Sequence, residues 1–469
     1  MILLLSLACL LAGTFILKNI RLGAVAGIAV QVAYVLSGTG WHGNHTAAVV
    51  NGVAITLELA ILLFGAVAFY RFLLNNQRLA FLNQFVTTSP GRPYLLITYC
   101  FFLGSFFEGI AGFGVPPILL IPLLVKSGFK PLTSIVVALS GSINAVIFGA
   151  LGAPLIIGLG ITELNETINI AMVINACSCI MMPFILTYLY SRIERVDVNW
   201  RKVLPMHLGA GIIYYVLFFL GSRFTVEYPS VITGSLGMIL FMIIYNPAVR
   251  TWGVRFWVTS FWPYCVLIAL LLLSKLALSN FSLVVPGGTK AVSAYQPGLV
   301  FLLSIAVVSL ILRMTGQRVA VADAVQKSVQ RTVQSALTIV VLIIFSQLVR
   351  WEMVEYIGIF IARQPEYLEP YLLMSFGVLG AFLTGSATMS NLLLNGLLTN
   401  ATANYYLGMA VLHSGSVVGN AIALQNIVMA RSAVDDPVLD RDVFRYTSRT
   451  LLICLACLSV STAVWLAFH

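Results

Sequence analysis

The chain has 469 residues, 60% of them hydrophobic and only 9% charged, whereas about a quarter of residues are charged in ordinary soluble domains. Apolar runs of membrane-spanning length recur from end to end, which excludes a soluble globular fold and specifies an all-α polytopic membrane protein. The net charge of +10 does not call for nucleic acid, because the basic residues fall in short connectors between apolar runs, as positive-inside loops do.

The N-terminal stretch MILLLSLACLLAGTFIL has an apolar core but no basic n-region and no good cleavage site, so it is expected to stay as a first span, 1–17. Lys18 and Arg21 place its end in the cytoplasm. Span 21–37 leads out to the polar loop SGTGWHGNHT, and span 49–70 returns to a connector carrying Arg71, Arg78 and Arg92 with no acid. Residues 94–125 enter from that side, turn at GIAGFGVPP, and return at Lys126 and Lys130. A full crossing would strand those lysines on the wrong side, so a re-entrant hairpin with its tip near 109–117 is expected. Run 131–160 crosses outward through SGS and GALGAP to ITELNET, and span 168–190 returns to Arg192, Arg195, Arg201 and Lys202.

Spans 203–221, 230–246 and 256–274 follow, with Arg250 and Arg255 inside. The loop 275–297, with Lys275 and Lys290, then falls outside, against the charge rule. Span 298–312 returns to a basic connector (Arg313, Arg318, Lys327 and Arg331 against Asp323), and 332–350 leads out again. Segment 351–370, with Glu352, Glu355, Glu366 and Glu369 against Arg363, suits the outside. A second broken region, 371–430, precedes a last span at 447–467. The expected architecture is about 12 transmembrane helices plus two re-entrant hairpins. A first half over 1–200 holds the broken region 94–160. Connecting spans fill 201–297, and a second half over 298–469 holds the broken region 371–430.

The two broken regions resemble each other. YLL at 94–96 recurs at 371–373, an offset of 277, and SGS at 140–142 recurs at 414–416, an offset of 274. Residue 94 is entered from the basic side and residue 371 from the acidic side, so the repeat is expected to be inverted in the membrane. That arrangement yields alternating access from one sequence pattern.

Helix breaks free backbone groups that hydrocarbon cannot satisfy, so they belong where protein or trapped water covers them. Any one serine or threonine there is expected to pack helices or bond nearby backbone. The concentration of hydroxyls and amides at both breaks points instead to a binding site. Ser142, Asn144, Ser386, Thr388, Asn391, Asn420 and Asn426 are the expected substrate-binding residues, lining one cavity with the second hairpin tip near 385–391. Glu108 and His413 are the candidates for proton coupling. A charged side chain at mid-bilayer costs roughly 2.5–3.5 kcal/mol on insertion scales, so Glu108 should be protonated, paired or wetted. The alternative for Glu108 is a carboxylate stapling hairpin N–H groups, and for His413 a hydrogen-bonded helix contact. Glu58, inside span three, reads as structural. No lysine or arginine sits in the broken cores. A small monoanion with its own hydroxyl, held by helix N-termini and neutral amides, therefore fits better than a phosphate ester.

The seven cysteines lie within or beside apolar runs, and no His or acidic partner has ligand spacing, so no metal site is expected. No nucleotide-binding loop and no cluster of paired catalytic groups appears, which argues against a pump and an enzyme.

EGIAGFGVPP, then GFKPL, then FGALGAP resemble the signature region of the bacterial lactate permease family, which includes glycolate permeases. LTGSATMSN, then SGSVVGNAIALQNIV and DVFRYT resemble its C-terminal signature, in the same order. The chain departs from the usual family residues at Ser142, Ala387 and Leu424. The resemblance implies uptake of L-lactate, D-lactate or glycolate with a proton, by a multi-pass protein of the bacterial inner membrane with no cofactor. Expected partners are a small carboxylate, H+ and the lipid bilayer, with a homodimer left open. A sodium-coupled or other organic-anion carrier of the same architecture is the alternative, ahead of a channel or an intramembrane enzyme.

Overall fold

The computed structural model describes residues 2–16, 19–38, 43–78, 88–110, 112, 115–278, 280–287, 291–397, 404–431, 433–434 and 438–468. The regular structure of the described residues is helical, apart from one antiparallel hairpin, β1 (Ser282–Val284) paired with β2 (Ala291–Ser293), inside the expected outer loop. Among the described residues, seven helices are long and apolar enough to cross a membrane, or eight if one bent pair counts as a span.

Two compact units divide the chain. The first comprises 1–84 and 252–353, and the second 85–251 and 354–469. The first unit holds α1 (Ile2–Phe15), α2 (Ile20–Ser37) and α3 (Gly43–Asn75), then α11 (Val254–Leu278), α12 (Pro297–Met314) and most of α13 (Ala322–Ala362). Small residues let these helices touch by backbone, as membrane helices do without a hydrophobic drive between them. A Cβ on Gly298 would fall on the carbonyl of Ile61, and one on Gly13 on the Cα of Gly23. Phe69 fills the space beside the first contact, 5.8 Å from the ring of Phe301. The helix α13 runs unbroken for 41 residues, about 60 Å at 1.5 Å per residue, because no glycine or proline interrupts it before Gly358. Glu352 and Glu355 of the acidic stretch therefore lie in its last turns, whereas Glu366 follows its end and Glu369 opens the next helix.

The second unit holds the broken regions. Its first part is α4 (Arg92–Ile110), α5 (Val115–Lys126), α6 (Pro131–Gly141), a 3-10 turn at Ile143–Phe148 and α7 (Gly149–Ile156). Then come α8 (Glu166–Glu194), α9 (Trp200–Ser222) and α10 (Pro229–Tyr245). The later part is α14 (Glu369–Thr384), α15 (Ala387–Leu394), α16 (Tyr405–Gly419), a 3-10 turn at Asn420–Ile422, α17 (Leu424–Arg431) and α18 (Asp440–Phe468).

Helix starts repeat with the offsets of the sequence matches. The starts of α2 and α12 (297 − 20) and of α4 and α14 (369 − 92) differ by 277. Those of α6 and α16 (405 − 131) and of α8 and α18 (440 − 166) differ by 274. The SGS match has a structural reason: its glycine admits a neighbouring helix. A Cβ on Gly141 would lie 2.6 Å from the carbonyl oxygen of Cys100, and one on Gly415 would fall on that of Met374. Both partners shift by 274 (415 − 141 and 374 − 100), so the same crossing is made twice.

Breaks are tolerated here because protein covers them. The membrane-length window of α4 is 94% buried, against 28% for α9 and for α18. Within α4, Ile97–Leu103 widens to a π-helix where it meets Gly141, a distortion that often accompanies functional sites.

Candidate functional site

Both broken regions converge on one cavity. From the first come Glu108 at the end of α4, Gly112 just beyond it, Val146 of the 3-10 turn, and Gly149, Ala150 and Pro154 of α7. From the second come Gly385, Ser386, Ala387, Thr388 and Asn420. The space open to a water-sized molecule is about 20 Å³, room for roughly one water. The cavity is thus closed tightly around its polar groups, and a carboxylic acid enters only if the walls part.

Backbone geometry builds the first wall. Ala150 (φ 45°, ψ 52°), Leu151 (φ 55°, ψ 46°) and Gly152 (φ 77°, ψ 11°) form a left-handed turn inside α7. Such a conformation costs about 1–2 kcal/mol for each residue bearing a Cβ, and strain of this kind concentrates at functional sites. Gly112 is also left-handed (φ 54°), and a Cβ there would lie 2.8 Å from that of Ala150. Glu108 is 4% exposed and its carboxyl faces the backbone of Gly149, where an added Cβ would sit 3.2 Å from Oε1. None of the residues lining the cavity is basic.

The second wall is the start of a helix. α14 ends at Gly385 in the left-handed conformation (φ 74°), and Ser386 in extended conformation caps α15, its Oγ accepting from the N–H of Met389. Thr384 Oγ1 donates to the carbonyls of Gly380 and Ser386, fixing the turn. The first turn of α15 therefore presents unspent N–H groups at the cavity, the arrangement that attracts a carboxylate.

The second region also supplies donors to carbonyls of the first. The N–H groups of Ile157 and Gly158 both bond the carbonyl of Ala153, passing over Pro154. Asn391 Nδ2 donates to the Pro154 carbonyl at 2.9 Å and, with its other hydrogen, to His413 Nδ1 at 2.9 Å. His413 Nε2 donates to the carbonyl of Ile147 at 3.1 Å. A carbonyl only accepts and an amide nitrogen only donates, so His413 is neutral with its hydrogen on Nε2. One turn beyond Asn391, Asn395 Nδ2 donates to the carbonyl of Gly158 at 3.0 Å.

Of the seven residues expected to bind substrate, Ser386, Thr388 and Asn420 line the cavity. The other four lie outside its lining. Asn426 stands behind Asn420, donating to its Oδ1 at 2.8 Å. The amide nitrogen of Asn391 is spent on the Pro154 and His413 bonds. Asn144 pairs reciprocally with Ser178 of α8: its Nδ2 donates to the Ser178 carbonyl and its Oδ1 accepts from Ser178 Oγ. Ser142 caps α6, buried beside Gly104. The first hairpin tip falls partly on residues 111, 113 and 114, outside the described residues. Gly149, Ala150 and Pro154 were missing from the expected set because their contribution is backbone shape. Asn395 belongs to the same run of polar residues around the second tip as Asn391, one turn apart, although it is not among the seven.

The L-lactate permease family model matches residues 1–256 and 256–468. An L-lactate permease of Bacillus subtilis (strain 168) is 26% identical over 452 residues, covering 79% of this chain and 78% of that protein. An L-lactate permease of Streptococcus iniae is 22% identical over 350 residues, covering 68% and 72%. A putative L-lactate permease of Haemophilus influenzae is 26% identical over 206 residues, and there the alignment spans only 37% of the relative's length. Among solved structures, the YdaH transporter of Alcanivorax borkumensis aligns with a TM-score of 0.43 at 16% identity, covering 91% of this chain and 87% of that one.

Proposed function

The chain belongs to the L-lactate permease family, and from that membership we propose a secondary active transporter that takes up a small 2-hydroxymonocarboxylate by proton symport. L-Lactate is the first candidate substrate, followed by D-lactate and glycolate, and the bacterial inner membrane is the proposed location. The observation that carries this reading is the cavity itself: a buried carboxyl with no basic neighbour faces the first turn of a helix contributed by the other broken region. The substrate carboxylate takes the N–H groups at the start of α15, Asn420 and Thr388 take its hydroxyl, and Glu108 carries the proton. His413 positions Asn391 and the Ile147 carbonyl, since both of its ring nitrogens are already engaged. Two opposed re-entrant hairpins within about 12 spans, related by an inverted repeat, would present this cavity to each side in turn.

One proton moving with one monocarboxylate carries no net charge. Only the pH gradient then drives uptake, at about 1.36 kcal/mol, or tenfold accumulation, per pH unit. Proteoliposomes given a pH step or a potassium-diffusion potential alone separate the possibilities. Labelled L-lactate should accumulate with the pH step and not with the potential, and Glu108→Gln should abolish accumulation while sparing counterflow. Full accumulation by that variant removes Glu108 from the coupling. A second reading, sodium coupling, is favoured by buried amide oxygens without a hydrogen-bond partner on Asn391, Asn395 and Asn426, a ligand type suited to a hard cation. Under that reading a sodium gradient and the membrane potential both drive uptake.

A further inference from the structure

The first unit carries a cavity that transport, as proposed above, does not use. It measures about 320 Å³ and lies where α3 ends and the connector after α12 folds back, lined by Asn75, Asn76, Gln77, Gln317 and Arg318. The two basic connectors that the charge pattern assigns to the cytoplasm meet here. Asn76 holds the returning strand of chain from both sides: its Oδ1 accepts from the N–H of Ala320 at 3.0 Å and its Nδ2 donates to the same residue's carbonyl at 3.4 Å. The guanidinium of Arg78 donates to Gln317 Oε1, and Asn75 Nδ2 donates to Asp323 Oδ2 at 3.0 Å. The rim is therefore stitched together by side chains on both segments.

Its charge is unbalanced. Arg71, Arg78, Arg313 and Arg318 belong to the two segments, and among their described residues Asp323 is the acid. That carboxylate is already taken: Lys327, one turn along α13, approaches it to 2.8 Å and holds it below the usual carboxylate range, helped by Asn75 and more weakly by Arg71. The helix ends that lead into it carry exposed apolar residues, Leu74 of α3 and Leu310 and Met314 of α12. A cationic, amide-lined notch at apolar helix ends matches a molecule with an anionic head and acyl chains. Bilayers present such molecules at the cytoplasmic surface, and basic pockets between helices capture them.

We propose that this notch binds a phosphate-ester anion, supplied by the headgroup of an anionic phospholipid. Arginine forks suit phosphate oxygens better than lysine does, and Arg318 both lines the cavity and is exposed. The test uses the full chain, delipidated in neutral detergent, with lipid binding followed by native mass spectrometry and thermal unfolding. Phosphatidylglycerol should bind about tenfold or more tightly than phosphatidylcholine, and Arg318→Ala should weaken it about fivefold. Arg318→Lys, which keeps the charge and loses the fork, should recover part of that loss, which excludes a simple folding defect. Equal binding of the two lipids, or unaltered binding by Arg318→Ala, overturns the proposal. Inorganic phosphate or glycerol 3-phosphate alone should not shift the unfolding temperature at millimolar concentration. If either reproduces the full shift, the lipid source is overturned in favour of a soluble phosphate ester. Transport by reconstituted protein reads out separately, so failure here leaves the proposed function untouched.

Discussion

The two broken regions share a plan and divide the chemistry. In each, two helices flank a break and a later helix leads through a 3-10 turn into another, and each makes the same glycine-to-carbonyl crossing, at Gly141 and at Gly415. The first region breaks through backbone: a π-helical stretch, prolines, and a left-handed turn at Ala150–Gly152. Its N–H groups of Ile157 and Gly158 bypass the Pro154 carbonyl, and it contributes a single acid, Glu108. The second breaks at one glycine and a serine cap and is rich in polar side chains, which reach across to the carbonyls of Pro154 and Ile147 through Asn391 and His413. The two regions thus divide into an acceptor half and a donor half. A buried acceptor left unmade costs free energy, so neither half is complete alone.

If the shared plan is structural, breaking it should hurt both halves alike. Gly141→Val and Gly415→Val each drive a side chain into the backbone of the facing helix, where no rotamer change gives relief. Both should lose more than the about 1–3 kcal/mol typical of overpacking, seen as loss of a folded, monodisperse protein in detergent. Tolerance of one but not the other would show that the repeat is no longer equivalent at its crossing.

Much of this plan is legible in the sequence. The breaks announce themselves as glycine, proline and polar residues in apolar runs, and SGS marks the crossing in each half. Glu108 stands out because an acid at that depth needs a reason. What stays hidden follows from the membrane. In a chain that is apolar on nearly every helix face, periodicity does not say which face is buried, so Asn144 reads as a cavity residue when its partner is Ser178 of α8. Left-handed Ala150 and Leu151 carry no glycine signal. The meeting of Asn391 with Pro154, 237 residues apart, follows from tertiary structure alone.

The division into donor and acceptor halves is sharpened by Asn391→Leu. Similar in size but without hydrogen-bonding groups, leucine strands the Pro154 carbonyl and His413 Nδ1 together. Each unmade buried partner costs about 1–3 kcal/mol, so thermal unfolding should drop clearly while the Asn144–Ser178 pairing at the other end of the first break is untouched. Unchanged stability would mean that the first region's carbonyls need no donor from the second.

The smallest change in structure tests the acid. Gly149 has an ordinary backbone (φ −66°, ψ 156°), so alanine there adds no conformational strain. Its methyl would arrive 3.2 Å from Glu108 Oε1, closer than most Cβ contacts, in a cavity with room for about one water. The buried carboxyl must give by a few tenths of an ångström, so stability should fall by up to about 1 kcal/mol, the low end of overpacking. What changes is the path of the proton: the methyl takes the space through which water would reach the carboxyl. If Glu108 exchanges its proton by that route, pH-driven accumulation by Gly149→Ala should fall about tenfold, equivalent to about 1.4 kcal/mol on the limiting step. Counterflow at fixed pH, which needs no net proton movement, should fall much less. Equal loss in both assays would place the defect in substrate binding, and the acceptor half would then contribute shape to the cavity without contributing the coupling acid.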